Sequence, residues 1–104
     1  MTKVALVAKM KAASGKRDEL VEAFGPLYEA VAGEEGTEIY ALHLDATDAD
    51  VVWFYELYRD GDALAAHGGS EAMKAMGGQF ASLLAERPEL IFLTPVRAKG
   101  LTFD

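Results

Sequence analysis

The spacing of apolar residues changes several times along this chain, and each change marks an element. Residues 3–10, KVALVAKM, are rich in valine and leucine and read as a strand. In SGKRDELVEAFGPLYEAVAGEEG, residues Leu20, Phe24, Leu27 and Val31 return at helical spacing. Ser14 is placed to cap that helix, and Asp18 and Glu19 suit its positive end. Gly25-Pro26 predicts a kink within it, and Gly33 and Gly36 mark its stop. TEIYALHLD reads as a second strand, ATDADV as a turn and VVWFYELYR as a third strand, so the last two strands form a hairpin. Asp60 or Asp62 caps a short helix, DALAAH. Ser70 caps a longer one, EAMKAMGGQFASLLAE, with Met73, Phe80 and Leu84 on one side and Pro88 as its end. ELIFLTPVRAK closes the chain as a fourth strand. The order β-α-β-β-α-β is that of a ferredoxin-like α+β sandwich, one domain over residues 1–104.

Successive residues of a strand point to opposite faces. In the third strand Val52, Phe54, Glu56 and Tyr58 share one face, and Trp53, Tyr55 and Leu57 share the other. The first strand sets Val4, Leu6, Ala8 and Met10 against Ala5 and Val7. The fourth sets Leu90, Phe92 and Val96 against Ile91 and Leu93. The sheet is therefore apolar on both faces, whereas the helices of this topology cover one. Trp53, Tyr55, Leu57, Ile91 and Leu93 are left as an exposed patch of a kind soluble monomers rarely carry. A second copy packed sheet to sheet, a two-fold homodimer, removes it. The other remedy is the C-terminal segment GLTFD folding across the open face.

Composition narrows the partners. The 104 residues carry a formal net charge of −7, which repels phosphate backbones and anionic lipid surfaces, so neither nucleic acid nor membrane is expected as a partner. There is no cysteine, which excludes disulfides, thiolate metal sites and a cysteine nucleophile. No apolar run approaches membrane-spanning length, and the N-terminal apolar stretch is too short and too interrupted by lysine for a signal peptide, so a cytoplasmic protein is expected. No glycine-rich phosphate loop or serine elbow is present. His43 and His67 fall on opposite faces and do not make a metal site. No cofactor and no metal are expected.

His67 is the sharpest candidate for chemistry. An unperturbed imidazole titrates at about 6.5 and exchanges protons near neutrality. Its place at a helix C-terminus, before Gly68-Gly69, also suits a purely structural cation. Glu56 lies mid-strand among rings, where a carboxylate needs a donor. It either pairs with a basic group or lines a pocket as a proton acceptor or an orienter of His67. Tyr58 and Tyr40 present hydroxyls able to hold an oxygenated ring or to satisfy a backbone group. Met73, Met76 and Phe80 read as core or as an adaptable apolar wall. His43 alternates with Ile39 and Ala41 on the proposed dimer face.

The segment YELYRDGDALAAH resembles the antibiotic-biosynthesis monooxygenase superfamily, which reads aromatic-Glu-x-aromatic and then Asp-x-x-Ala-Leu-x-x-His. SGKRDELVEAFGPLYEAVAGEEGTEIYALHLD is similar to the family's first helix and second strand, with Glu-x-Gly before the strand and Tyr40 within it. LTPVRAKG is similar to its closing strand. The resemblance implies a ferredoxin-like homodimer of the dimeric α/β-barrel type, with a pocket between sheet and helices. It further implies oxidation of a quinol or phenolic substrate by molecular oxygen without a cofactor. Carried over by position, His67 matches the family histidine, Glu56 the strand glutamate and Tyr58 the strand aromatic, while Phe54 stands where some relatives have a polar residue. Many relatives also carry a second histidine where this chain reads SEAMK. The expected site therefore has His67, Glu56 and Tyr58 as catalytic groups and Phe54, Tyr40, Met73, Met76 and Phe80 around a small aromatic substrate. The alternative is a non-oxygenase of the same fold, either an isomerase using His67 and Glu56 or a ligand-binding dimer without catalysis.

Overall fold

A computed structural model describes residues 2–103. The elements run β1 (Val4–Lys11), α1 (Arg17–Ala23), α2 (Gly25–Val31), β2 (Thr37–Leu44), β3 (Val51–Tyr58), α3 (Gly61–Gly68), α4 (Glu71–Leu83) and β4 (Glu89–Leu93). The strands form one antiparallel sheet in the order β2-β3-β1-β4, the ferredoxin-like α+β arrangement read from the sequence.

The central strands carry the core because their inward positions alternate large and small. Ala8 on β1 lies opposite Phe54 on β3, and the missing bulk of the alanine leaves room for the ring. Phe24, between α1 and α2, meets Phe54 edge-on at 4.7 Å between centroids and Phe80 of α4 at 4.5 Å. Leu20, Leu27, Val52 and Met76 complete a cluster with almost no solvent exposure. At the far end of the sheet Arg17 clamps the β2–β3 turn to α1. Its guanidinium donates to the carbonyls of Asp45 at 3.4 Å, Asp48 at 2.9 Å and Val51 at 3.3 Å. The Asp45 carboxylate organises the same turn by accepting from the amides of Thr47 and Asp48 and from the indole of Trp53. Those bonds hold its carboxyl well below the usual range.

Several boundaries differ from the sequence reading. Ser14 caps nothing. The helix starts at Arg17, behind Lys16, without a side-chain cap. Gly25-Pro26 breaks the helix into two rather than kinking it, because proline fits the first turn of a new helix, where its missing N–H is not needed. α4 stops at Leu83, five residues before Pro88. There the chain turns into a short bridge with the end of β1, in which Ala13 N–H donates to Leu83 O and Ala85 N–H to Lys11 O. β4 ends at Leu93 instead of running to Lys99. Asp60 and Ser70 do cap α3 and α4, accepting from Ala63 N–H and Met73 N–H.

The expected exposed face is also redrawn. Leu57 is buried within the single chain, flanked in register by Ala5 and Ile39, so it does not belong to an exposed patch. Trp53 and Tyr55 are half-buried, the first with Lys9 over its ring. Leu101 and Phe103 of the C-terminal segment are half-buried as well. The unshielded apolar surface lies instead along β4, on both of its sides. Strand alternation places Leu90 and Phe92 on the helix-covered face, yet they are 52% and 58% exposed, alongside Ile91 and Leu93 at 45% and 44%. The helical layer does not reach this edge strand.

Gly36, just before β2, sets how closely α3 approaches the sheet. A Cβ there would lie 2.5 Å from the Cβ of Ala63, on a helix backbone with no flexible atoms to move aside. Gly36→Ala is expected to destabilise the protein by about 1–3 kcal/mol through overpacking. Urea denaturation should show this as a lower midpoint at unchanged slope.

Candidate active site

Three elements bring the chemistry together. α3 begins at its Asp60 cap and lasts two turns. Ala63 and His67, four residues apart, share the face turned to the sheet, Ala63 toward Gly36 and His67 deeper. The imidazole is buried. Its centroid lies 5.2 Å from the ring of Tyr40 on β2 and 5.5 Å from that of Tyr58 on β3. Nδ1 lies 2.9 Å from Oε1 of Glu34, which also accepts from the Thr37 hydroxyl at 2.8 Å. A carboxylate at that distance accepts from Nδ1, so in the neutral form of the ring the hydrogen sits on Nδ1 and the free lone pair on Nε2.

Glu56 sits in the middle of β3 between Leu6 and Tyr40, so its carboxyl is directed into the layer between sheet and helices. The Tyr58 hydroxyl donates to it from two residues along the same strand face. Burial drives the Glu56 carboxyl above its ordinary value of 4.5, and the Tyr58 hydrogen bond and the nearby imidazole pull only partly the other way. Burial, reinforced by the Glu56 charge, holds the Tyr40 and Tyr58 hydroxyls above their ordinary 10.0, so both stay protonated donors.

Between these groups and the helices lies a cavity of about 390 Å³. Leu6, Phe24, Leu64, Met73 and Phe80 line it, and it opens past Leu90 and Phe92 of β4. Its only polar side chains, among the described residues, are those of Tyr40, Glu56 and His67. A volume within the range of small-molecule sites, mostly apolar walls and a few converging polar groups are what a ring-sized ligand requires.

Of the residues singled out from the sequence, His67, Glu56, Tyr40, Met73 and Phe80 line this cavity. Phe54, Tyr58 and Met76 do not. Phe54 is enclosed between Phe24 and Tyr40, Tyr58 lies behind Glu56, and Met76 is part of the core. His43 is exposed on the other face. Glu34 carries no mark of its own in the sequence, where GEEG reads as a helix stop, although the Glu-x-Gly motif before β2 contains it. Among the described residues no group of three or more His, Cys, Asp or Glu side chains is arranged to hold a metal.

The family model of the antibiotic biosynthesis monooxygenases matches residues 3–79. The chain belongs to this family. Solved structures agree with the assignment. A candidate antibiotic biosynthesis monooxygenase from Caulobacter crescentus is 30% identical over 92% of each chain, with a TM-score of 0.86. A Pseudomonas aeruginosa protein is 26% identical, at a TM-score of 0.84 over 93% of this chain and 97% of its own. A Mycobacterium tuberculosis protein is 25% identical, with the same score, over 93% and 98%. Among proteins of curated function none matches the sequence. For a chain of the antibiotic biosynthesis monooxygenase family, the cavity beside His67 is the natural place to look for chemistry.

The raised Glu56 carboxyl has a consequence for stability. The native state holds this proton more tightly than the unfolded chain, whose value is near 4.5. The contribution is fully present below that pH and is lost as pH rises through the higher native value. Stability should therefore fall along that limb, and Glu56→Gln should flatten it. Urea denaturation at a series of pH values checks this, and identical pH profiles in the two proteins would contradict it.

Proposed function

We propose that this chain is a cofactor-independent monooxygenase acting on a quinol or phenolic ring. The observation that carries the reading is a ring-sized apolar cavity whose wall holds one imidazole backed by a carboxylate. Membership of a family named for monooxygenation supports it. Nε2 of His67 takes the proton from the substrate hydroxyl. The resulting electron-rich anion transfers an electron to oxygen, and the two radicals combine at a ring carbon. The balance is a quinol and one O₂ giving a hydroxyquinone and one water. Tyr40 donates to a ring oxygen, and Glu56, held by Tyr58, orients the substrate or the imidazole. Phe24, Met73 and Phe80 keep water from the reactive pair.

A second reading has its own observation. Glu56 and His67 lie in one wall, a pair of proton-handling groups that also suits an isomerase shuttling a proton between two carbons. Oxygen consumption separates the two, since an isomerase uses none. With metal chelated, a panel of reduced naphthoquinones is expected to drive oxygen uptake. His67→Ala should lower kcat/KM by about 10²-fold or more. Turnover at the wild-type rate in that variant removes His67 from the mechanism.

The same proposal includes a homodimer. Its support is the exposed apolar row on β4, continuous with the half-buried Trp53 and Tyr55 on the open side of the sheet. Ile91→Asp with Leu93→Asp should halve the mass seen by sedimentation. An unchanged mass places the contact elsewhere, and a wild-type monomer ends the dimer proposal.

A further inference from the structure

His67 belongs to two cavities. One is the apolar cavity already described. The other is a polar cleft of about 410 Å³ between α3 and the segment leading into β2, lined by Glu34, Glu35, Thr37, Arg59, Asp62 and Ala66. His67 is the single residue common to both walls. Its ring is buried, with 5% of the side chain exposed, while the Glu34 side chain bonded to Nδ1 is 22% exposed. The imidazole thus stands between the two, its Nδ1 bonded to a carboxylate that reaches solvent.

We infer that His67 and Glu34 form a proton relay joining the substrate cavity to the polar cleft. The inference rests on the oxygenase reading only for the origin of the proton. The substrate O–H bond breaks and its proton bonds to Nε2. The proton on Nδ1 passes to Oε1 of Glu34. Glu34, now a carboxylic acid, releases that proton to water in the cleft. The imidazole is neutral before and after, with its hydrogen moved from one nitrogen to the other. The substrate is left as an anion, one proton has entered the solvent, and no electron has moved. The ring resets when Nε2–H protonates a reduced-oxygen anion in the cavity and Glu34 recharges Nδ1 from the cleft.

The surroundings favour this direction. The groups facing His67 inside are Tyr40 from β2 and Glu56 and Tyr58 from β3. The two tyrosines hold their protons tightly, and Glu56 is engaged by Tyr58. On the cleft side Arg59 and Asp62 line a solvated surface. The Thr37 hydroxyl fixes the Glu34 carboxylate against the ring. Glu34 is on this view a positioning and proton-carrying residue that never touches the substrate.

Glu34→Gln is the informative variant, because its amide oxygen still accepts from Nδ1–H but cannot take the proton away. A relay predicts a kcat at least tenfold lower with KM within twofold, and recovery of most of the rate in Glu34→Asp. A kcat within twofold of wild type in Glu34→Gln overturns the relay, and so does a change confined to KM. A second readout needs no turnover. In ¹⁵N-histidine-labelled, ligand-free protein, His67 should carry its hydrogen on Nδ1, and exchange of that hydrogen with water should slow at least tenfold in Glu34→Gln. A ring protonated on Nε2 alone, or exchange at the wild-type rate, overturns the relay. If no quinol is oxidised by the wild-type protein, the oxygenase reading fails by itself, and the exchange measurement still decides the relay.

Discussion

A carboxyl group placed in the middle of a strand, on the face that helices cover, needs a hydrogen-bond donor within the fold. Here the donor is the next residue on the same face: Tyr58 gives its hydroxyl to Glu56. That bond uses the hydroxyl of Tyr58 and keeps it out of the cavity, while the Glu56 carboxyl stays in the wall. It also anchors one end of a run of rings. Phe80, Phe24, Phe54, Tyr40, His67 and Tyr58 touch in sequence, with neighbouring centroids between 4.5 and 5.5 Å apart. The imidazole is thus held among aromatic faces as well as by Glu34, and has little freedom to swing away.

The approach of α3 to the sheet is the second constraint. Gly36 has no side chain where Ala63 passes, so the helix lies close and its last turn carries His67 to within a hydrogen bond of Glu34. The same glycine accepts from Arg59 N–H at the end of β3. The Glu-x-Gly motif before β2 therefore has two physical parts: the glutamate holds the ring and the glycine gives the helix access.

Much of this was legible in the residues. The alternation in β1 and β3 located the inner face, and Asp60 and Ser70 announced their helices because a cap is a local interaction. Glu56 was recognisable as a polar group on an apolar strand face and His67 as a proton-exchanging side chain at a helix end, and their chemistry is independent of the final packing. What failed was non-local. Which rings border a cavity and which fill the space behind it depends on volumes contributed by several elements, so Phe54, Tyr58 and Met76 were indistinguishable from Tyr40, Met73 and Phe80. Glu34 lies far from His67 along the chain, and only the closed fold makes them partners. The reach of the helical layer over β4 depended on where α4 stopped. That in turn depended on the backbone bridge between Ala12 and Leu84, which leaves no mark on hydrophobic period.

The helix split at Gly25-Pro26 has a consequence for how the molecule is held together. α1 and α2 have seven residues each and α3 has eight, well short of the length at which a helix persists alone in water. Neither half of the divided segment has an N-terminal side-chain cap. Helicity here is borrowed from the strands beneath, so these segments hold their shape only while packed on the sheet. The contact between the imidazole and its carboxylate therefore exists only while α3 stays seated against the start of β2.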